Sequence, residues 1–332
     1  MTSTSKKYST LKQILAGNYR VAEFALTNIC RSKCSFCHIW EQHPKVIVPN
    51  DAVRKTINNL ANIGVRFITL TGGEPLLHPN IIQIVQQCTA RNRVTAVLSA
   101  DPMLITSDIA FSLAKAQVDY VCFSFDHYTD EIEYQSRHLT EMVNKIFWAV
   151  GNLRNEGIKA VASIVICKFN FMELEQLFDF CKSAGFDAFS INYPETSISP
   201  TYQLGGEAVN LPPTTIADAL QQIITLKQRG WPVLNPIPSM QNIIHYLRNE
   251  PVEYPCLGGN KVLFVDWNCD VYPCMHLDSK ICSSIEISKE HLLSGSCNSC
   301  SMSWYRDFSV FQAGFKSIIP ALHSLHDFST MQ

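Results

Sequence analysis

The sequence has no excess of charge of either sign: in 332 residues, 27 lysines and arginines stand against 29 aspartates and glutamates, a formal net charge of -2 with an isoelectric point near 6.5. That removes the basic field with which proteins hold a phosphate backbone, so general nucleic-acid binding is not expected. Long apolar runs are missing too. None approaches the roughly eighteen residues of a membrane span, and the opening MTSTSKKYST lacks the apolar core of a secretory signal. A soluble, cytoplasmic protein with no membrane partner is the expectation. There is also no low-complexity tract, and no internal repeat beyond the alternation of strands and helices described below.

Cysteine, by contrast, is plentiful, with 13 in the chain. Without a secretory signal, such an odd and high count points to metal or redox chemistry rather than to a disulfide framework.

The spacing of apolar residues predicts strands over 21–27, 67–71, 94–99, 120–125, 159–167 and 188–193. Helices over 51–64, 80–90, 107–116, 139–157 and 172–184 fall between them, and another over 215–228 follows a Pro- and Gly-containing connection. This alternation predicts an α/β fold, a partial (β/α)6 barrel of parallel strands, in which chemistry gathers at the C-terminal strand ends. Beyond Pro255 the character changes to short strands, tight turns and six of the 13 cysteines. The expected division is an N-terminal extension over 1–20, the barrel over 21–235 and a small cysteine-rich α+β domain over 236–332.

Cys30, Cys34 and Cys37 form C-x3-C-x2-C in the loop after the first predicted strand. Closely spaced thiolates on one loop suit an iron-sulfur cluster, and three ligands for four irons leave one iron open to chelate a small molecule. A structural zinc site is the alternative, with His38 or His43 completing it. Just past the second predicted strand comes Gly72-Gly73-Glu74-Pro75. Its glycines free the backbone for close approach to a ligand, and Glu74 can accept from an ammonium group. Taken alone, a Gly-Gly pair at a strand end is also an ordinary turn.

Together the two motifs resemble the signature of the radical S-adenosylmethionine (SAM) superfamily. The resemblance rests on the cysteine spacing with the aromatic Phe36 before the last cysteine, the lead-in Leu26-Thr27-Asn28, and GGEP one βα unit later; it covers roughly residues 21–193. It implies that a [4Fe-4S] cluster on the three cysteines binds SAM through its open iron. With one electron, from a donor such as flavodoxin or ferredoxin, SAM would be cleaved to methionine and a 5′-deoxyadenosyl radical. The resemblance further implies contacts to SAM at later strand ends from Ser99, Ser124, Lys168 and Asn170, residue types that otherwise serve as caps or turns. Ala100-Asp101 departs from the Asn-Gly common in the family.

Farther along, Cys256, Cys274, Cys297 and Cys300, with residues 266–274 read as a hairpin, resemble the twitch and SPASM extensions of radical SAM enzymes. The family's turn glycine is Cys269 here. No cysteine follows Cys300, so the count fits the shorter twitch form with one auxiliary [4Fe-4S] cluster, two clusters in all. Four thiolates would also suit zinc, and Cys282 is a stand-in for one of them. Cys88, Cys122, Cys167 and Cys181 fall on predicted helices and strands, where a free cysteine packs as a small hydrophobe.

The resulting expectation is a radical SAM enzyme that abstracts hydrogen from an unactivated carbon and oxidises a small molecule: a sugar, aminocyclitol or nucleoside. The auxiliary cluster would take the electron, and Asn192, Tyr193 and Glu195 would help to wall the substrate. The alternative is a peptide maturase, or an epimerase in which Cys269 or Cys282 returns a hydrogen atom. Only about twenty residues precede the first predicted strand, fewer than the leader-binding domain of peptide-modifying members. From another class comes a non-catalytic zinc or iron-sulfur module, although a scaffold has no need of an open iron beside an amine-binding turn.

Overall fold

β1 (Arg20–Ala25) is buried at every residue and β2 (Val65–Thr71) at all but Arg66, as parallel strands covered on both faces are. In the computed structural model the described residues are 14, 17–91, 94–99, 101–194 and 209–313. The other strands are β3 (Val94–Ser99), β4 (Tyr120–Ser124), β5 (Lys159–Val165), β6 (Ala188–Asn192), β7 (Val262–Val265), β8 (Asp270–Tyr272) and β9 (Cys282–Ser283). They form one sheet in the order β6-β5-β4-β3-β2-β1-β7-β8-β9. The six expected strands are consecutive and parallel in it. β7 adds a further parallel strand on the free side of β1, pairing Val21 with Val262 and Phe24 with Val265, and β8 and β9 continue antiparallel.

Helices α1 (Asn50–Asn62), α2 (Ile81–Arg91), α3 (Ser107–Lys115), α5 (Met142–Asn155) and α6 (Leu174–Ala184) connect successive strands. Between α3 and α5 lies α4 (Asp130–Arg137), so the helix expected over 139–157 begins three residues later and is preceded by an unexpected one. The break has a backbone cause: His138 and Glu141 both adopt left-handed φ values, 55° and 56°. α7 (Pro213–Gln228) is the expected helix after the connection, whereas α8 (Ile237–Leu247) and α9 (Ser303–Val310) were not anticipated. Among the described residues no helix is long and apolar enough to cross a membrane.

Side chains alternate across the strands. Ile68, Leu70, Val121, Phe123, Ile164 and Ile191 bury one face in the core. The intervening residues, among them Thr69, Thr71, Cys122, Ser124, Ser163, Ser190 and Asn192, line a cavity of about 310 Å³ on the other face. α9 crosses that face from one end of the parallel set to the other. Ser303 donates to Asn192 on β6 (2.9 Å), Tyr305 donates to Glu23 on β1 (3.0 Å), and the Phe308 ring lies 5.0 Å from that of Phe67 on β2.

Candidate active site

The loop after β1 and the segment after β2 are held together through their backbones. Gly73 N donates to Thr27 O (2.7 Å) and Glu74 N to Ile29 O (2.8 Å). A Cβ on Gly72, whose φ is +130°, would stand 2.3 Å from Thr27 O, and one on Gly73 would stand 2.3 Å from Ile29 O and 3.0 Å from Cys30 Cβ. The glycines are therefore required by approach to the cysteine loop itself, where ligand approach was expected. Cys30, Cys34, Phe36, Cys37, Gly72 and Gly73 all line the cavity.

From below, α4 grips this loop. Ser35 N and Lys33 N donate to the carbonyls of Ser136 (2.9 Å) and Arg137 (3.2 Å), and the Ser32 hydroxyl also donates to Arg137 O (2.7 Å). Buried Arg137 directs Nη1 at Cys34 Sγ (3.7 Å) and places its guanidinium 5.2 Å from the centre of the Phe36 ring. Its charge is met by Asp126 (2.9 Å) and Glu133 (3.5 Å). Burial, reinforced by the Asp126 charge, pushes the Glu133 carboxyl up. Sequence reasoning missed Arg137 and Glu133, because a mostly polar eight-residue helix gives no apolar periodicity to follow.

The remaining predicted contacts divide. Ser124 lines the cavity, in register with Ser163, which is in register with Ser190, so three hydroxyls form a row across β4, β5 and β6. Glu74 is fully buried, and its carboxylate accepts from Leu76 N (3.0 Å), Ser99 Oγ (3.0 Å) and Asp101 N (3.1 Å). Ser99 and buried Pro75 thus shape the GGEP turn without lining the cavity. Asn170 also lies off the cavity wall: its amide donates to the carbonyls of Asp126 and Val165 and accepts from Cys167 N, a brace for the loop after β5. Lys168 is exposed over the Phe169 ring, away from the cavity. Asn192 lines the cavity and Tyr193 does not; Glu195 and Ala100 lie outside the described residues.

In the C-terminal segment, Cys256 and Cys297 pair through backbone hydrogen bonds of 2.8 Å in both directions. Burial pushes the Cys256 and Cys274 thiols up, and both are raised further by the Cys297 charge. The Cys300 carbonyl accepts from Arg306 Nε (2.8 Å) and Nη2 (2.5 Å), anchoring that loop to α9. The hydrogen-donor role expected of Cys269 or Cys282 does not fit their positions. Buried Cys269 sits at the hairpin turn with φ 63°, its thiol bonded to Thr56 and Ser284, and Cys282 lies on β9 opposite Val271. Neither lines the cavity; Cys122, expected to be a packing residue, does.

Residues 24–181 match the family described as the Radical SAM superfamily, a span that contains the cysteine loop, the GGEP turn and α4. Residues 24–181 thus carry a radical SAM domain. Among curated relatives, it is 24% identical over 255 residues to the antilisterial bacteriocin subtilosin biosynthesis protein AlbA of Bacillus subtilis (strain 168), covering 76% of this chain and 54% of AlbA. It is 23% identical over 279 residues to the AdoMet-dependent heme synthase of Methanosarcina barkeri (strain Fusaro / DSM 804), covering 78% of this chain and 77% of the relative. The crystal structure of Streptococcus suis SuiB bound to S-adenosylmethionine superposes with a TM-score of 0.66 at 14% identity, over 86% of this chain and 69% of SuiB. The chain thus spans about half the length of AlbA.

The donor set suits the cofactors of a radical SAM enzyme. Burial pushes the thiols of Cys30, Cys34 and Cys37 up, that of Cys37 to about 12, and the charge of Cys34 adds to the rise at Cys30 and Cys37. Thiols so disfavoured as free thiolates need a bound cationic centre to ionise. Among the described residues no three His, Cys, Asp or Glu side chains are gathered as around a single metal ion. A cubane, whose irons each take a separate thiolate, does not need that gathering.

Proposed function

We propose that this radical SAM enzyme takes a hydrogen atom from an unactivated carbon of a substrate held in the sheet cavity and oxidises it, with a second cluster in the C-terminal segment. The observation that carries the reading is the cavity itself: three cysteines and Phe36 on its wall at the C-terminal strand ends, with hydroxyls and α9 deeper in. When bound and reduced, the [4Fe-4S] cluster supplies the electron that splits SAM into methionine and the 5′-deoxyadenosyl radical that abstracts the hydrogen. Cys30, Cys34 and Cys37 hold it, and Gly72 and Gly73 let the GGEP segment lie against their loop. Ser124, Ser163, Ser190 and Asn192 offer hydrogen bonds to a substrate, while Trp304 and Phe308 exclude water. Cys256, Cys274, Cys297 and Cys300 would saturate an auxiliary cluster, which suits electron transfer rather than substrate binding. An external donor such as flavodoxin or ferredoxin fits the need for one electron.

A cavity of about 310 Å³ takes a small molecule such as a sugar, aminocyclitol or nucleoside. A peptide reading is supported by the relatives: AlbA is named for subtilosin biosynthesis, and SuiB has been solved bound to the precursor peptide SuiA. In that case one side chain would enter the cavity.

Anaerobically reconstituted, reduced protein given SAM is expected to release 5′-deoxyadenosine, and a variant with Cys30, Cys34 and Cys37 changed to Ala is not. Equal release refutes the assignment. Changing Cys256, Cys274, Cys297 and Cys300 to Ala is expected to remove about four irons per chain, the content of one cubane, and unchanged iron refutes the auxiliary cluster.

A further inference from the structure

The deep end of the cavity carries charge for which hydrogen abstraction has no use. Glu23 stands on β1 two residues before its end, in register with Thr69 on β2 and Phe264 on β7. It lines the cavity although only 6% exposed. The Tyr305 hydroxyl donates to one carboxylate oxygen at 3.0 Å, and among the described residues no other hydrogen bond or ion pair reaches this side chain.

Asp307, on α9, faces the same cavity. Asn235 Nδ2 donates to one of its oxygens (2.7 Å) and the Ser239 hydroxyl to the other (2.5 Å). These partners are neutral. The Lys227 ammonium acts on Asp307 through space, but it donates its hydrogen bonds to the carbonyls of Val233 and Asn235. Arg137 is the one Lys or Arg among the described lining residues; it sits beside the cysteine loop and is already paired with Asp126 and Glu133.

Removing a carboxylate from water is costly, and burial accordingly pushes both Glu23 and Asp307 up to about 7. Around them, Phe67, Tyr120, Trp304 and Phe308 present aromatic rings to the same space. Aromatic faces attract cations.

We propose that the substrate places a cationic nitrogen, an ammonium or guanidinium, in this cavity, paired with Glu23. The proposal rests on the cavity being the substrate site. Binding a cation restores the ionised carboxylate and forms a charge-assisted hydrogen bond at the open oxygen of Glu23. A phosphate or carboxylate in the same place meets the Glu23 carboxylate, while the one Lys or Arg among the described lining residues, Arg137, is already paired. An amino sugar or aminocyclitol satisfies the requirement as a small molecule, and a lysine or arginine side chain satisfies it within a peptide.

The test compares cyclohexylammonium, cyclohexanol and cyclohexanecarboxylate, one frame in three charge states, by ligand-observed NMR on reconstituted protein. At about pH 8, where the carboxyls are ionised and the amine protonated, the ammonium is expected to bind roughly 10-fold tighter than the alcohol. The carboxylate should bind more weakly than either. Glu23→Gln, nearly isosteric, is expected to abolish most of the preference and Glu23→Asp to keep part of it. A second arm sets acetyl-Gly-Gly-Lys-Gly-Gly-amide against Nα-acetyl-lysine amide: tighter binding of the pentapeptide assigns the cation to a peptide, equal binding to a small molecule. Equal binding of the three ring probes, or unchanged discrimination in Glu23→Gln, overturns the proposal. Release of 5′-deoxyadenosine by the same wild-type preparation reports separately on the radical SAM reading, so either can fail alone.

Discussion

Glu23 gives the stability of this protein a pH dependence of definite sign. Its carboxyl titrates near 4.5 in the unfolded chain and at about 7 in the folded one, where burial disfavours the charge. The folded state therefore holds the proton more tightly. The stabilisation is fully present below about pH 4.5 and is lost as the pH rises through about 7. Relative to Glu23→Gln, which cannot ionise, wild type should lose about 3 kcal/mol of unfolding free energy across that window, measured by urea titration at a series of pH values. Asp307 moves the same way but is present in both proteins, so it cancels in the difference. Beside the cysteine loop, Arg137 is the one ion-pair partner of buried Asp126 and Glu133 among the described residues. Arg137→Met leaves those acids uncompensated and should cost about 3–5 kcal/mol, read from the urea midpoint. Arg137→Lys, which keeps the charge without the forked geometry, should cost less.

At the scale of elements, the two sharpest motifs are turns whose backbones answer to their neighbours. Gly73→Ala would drive a Cβ into Ile29 O, separating the GGEP segment from the cysteine loop, and should yield protein with less bound iron than wild type after identical reconstitution. Cys269 holds φ 63° without being glycine, a conformation that costs an L-residue roughly 1–2 kcal/mol. Cys269→Ala keeps that strain and loses the thiol contacts to Thr56 and Ser284, whereas Cys269→Gly loses the contacts and the strain together. Cys269→Gly should therefore melt above Cys269→Ala by about 1 kcal/mol of stability, seen as a rise of a few degrees in thermal unfolding. The parallel strands β1 to β6 were legible because they are largely apolar runs of five to seven residues alternating with helices. β7 escaped notice because it has four residues, and α4 because its buried positions are Glu133, Ser136 and Arg137. The cysteine loop was legible for a similar reason of locality, its three thiols lying within eight residues. Arg137 reaches Cys34 from 103 residues away, a contact that only the folded chain creates. For Cys122 the signal was present: Tyr120, Cys122 and Ser124 alternate with Val121 and Phe123, which is the pattern of a strand with one face on a cavity.

For the whole molecule, the expected boundary between 235 and 236 does not coincide with any break in the sheet. β7 lies on the far side of that boundary yet pairs with β1 from Val21 to Phe24. α9, farther still along the chain, is bonded to Asn192 on β6 and Glu23 on β1, and Arg306 ties the Cys300 loop to it while also reaching the Tyr254 carbonyl (3.4 Å). The C-terminal segment is thus part of the wall of the cavity as well as the carrier of six cysteines. Cutting the chain after residue 235 would bare the β1 edge, whose Val21, Ala22 and Phe24 are fully buried, and such an apolar edge invites pairing with another chain. It would also open the cavity from the side that Trp304 and Phe308 close. The full chain is therefore expected to unfold in one calorimetric transition, and the fragment 1–235 to be insoluble or rapidly digested by a protease that spares the full chain. Two resolved transitions, or a soluble and protease-resistant fragment, would show instead that the barrel stands without its C-terminal partner, and that the hydrogen bonds from α9 to Asn192 and Glu23 are contacts between two independently stable bodies.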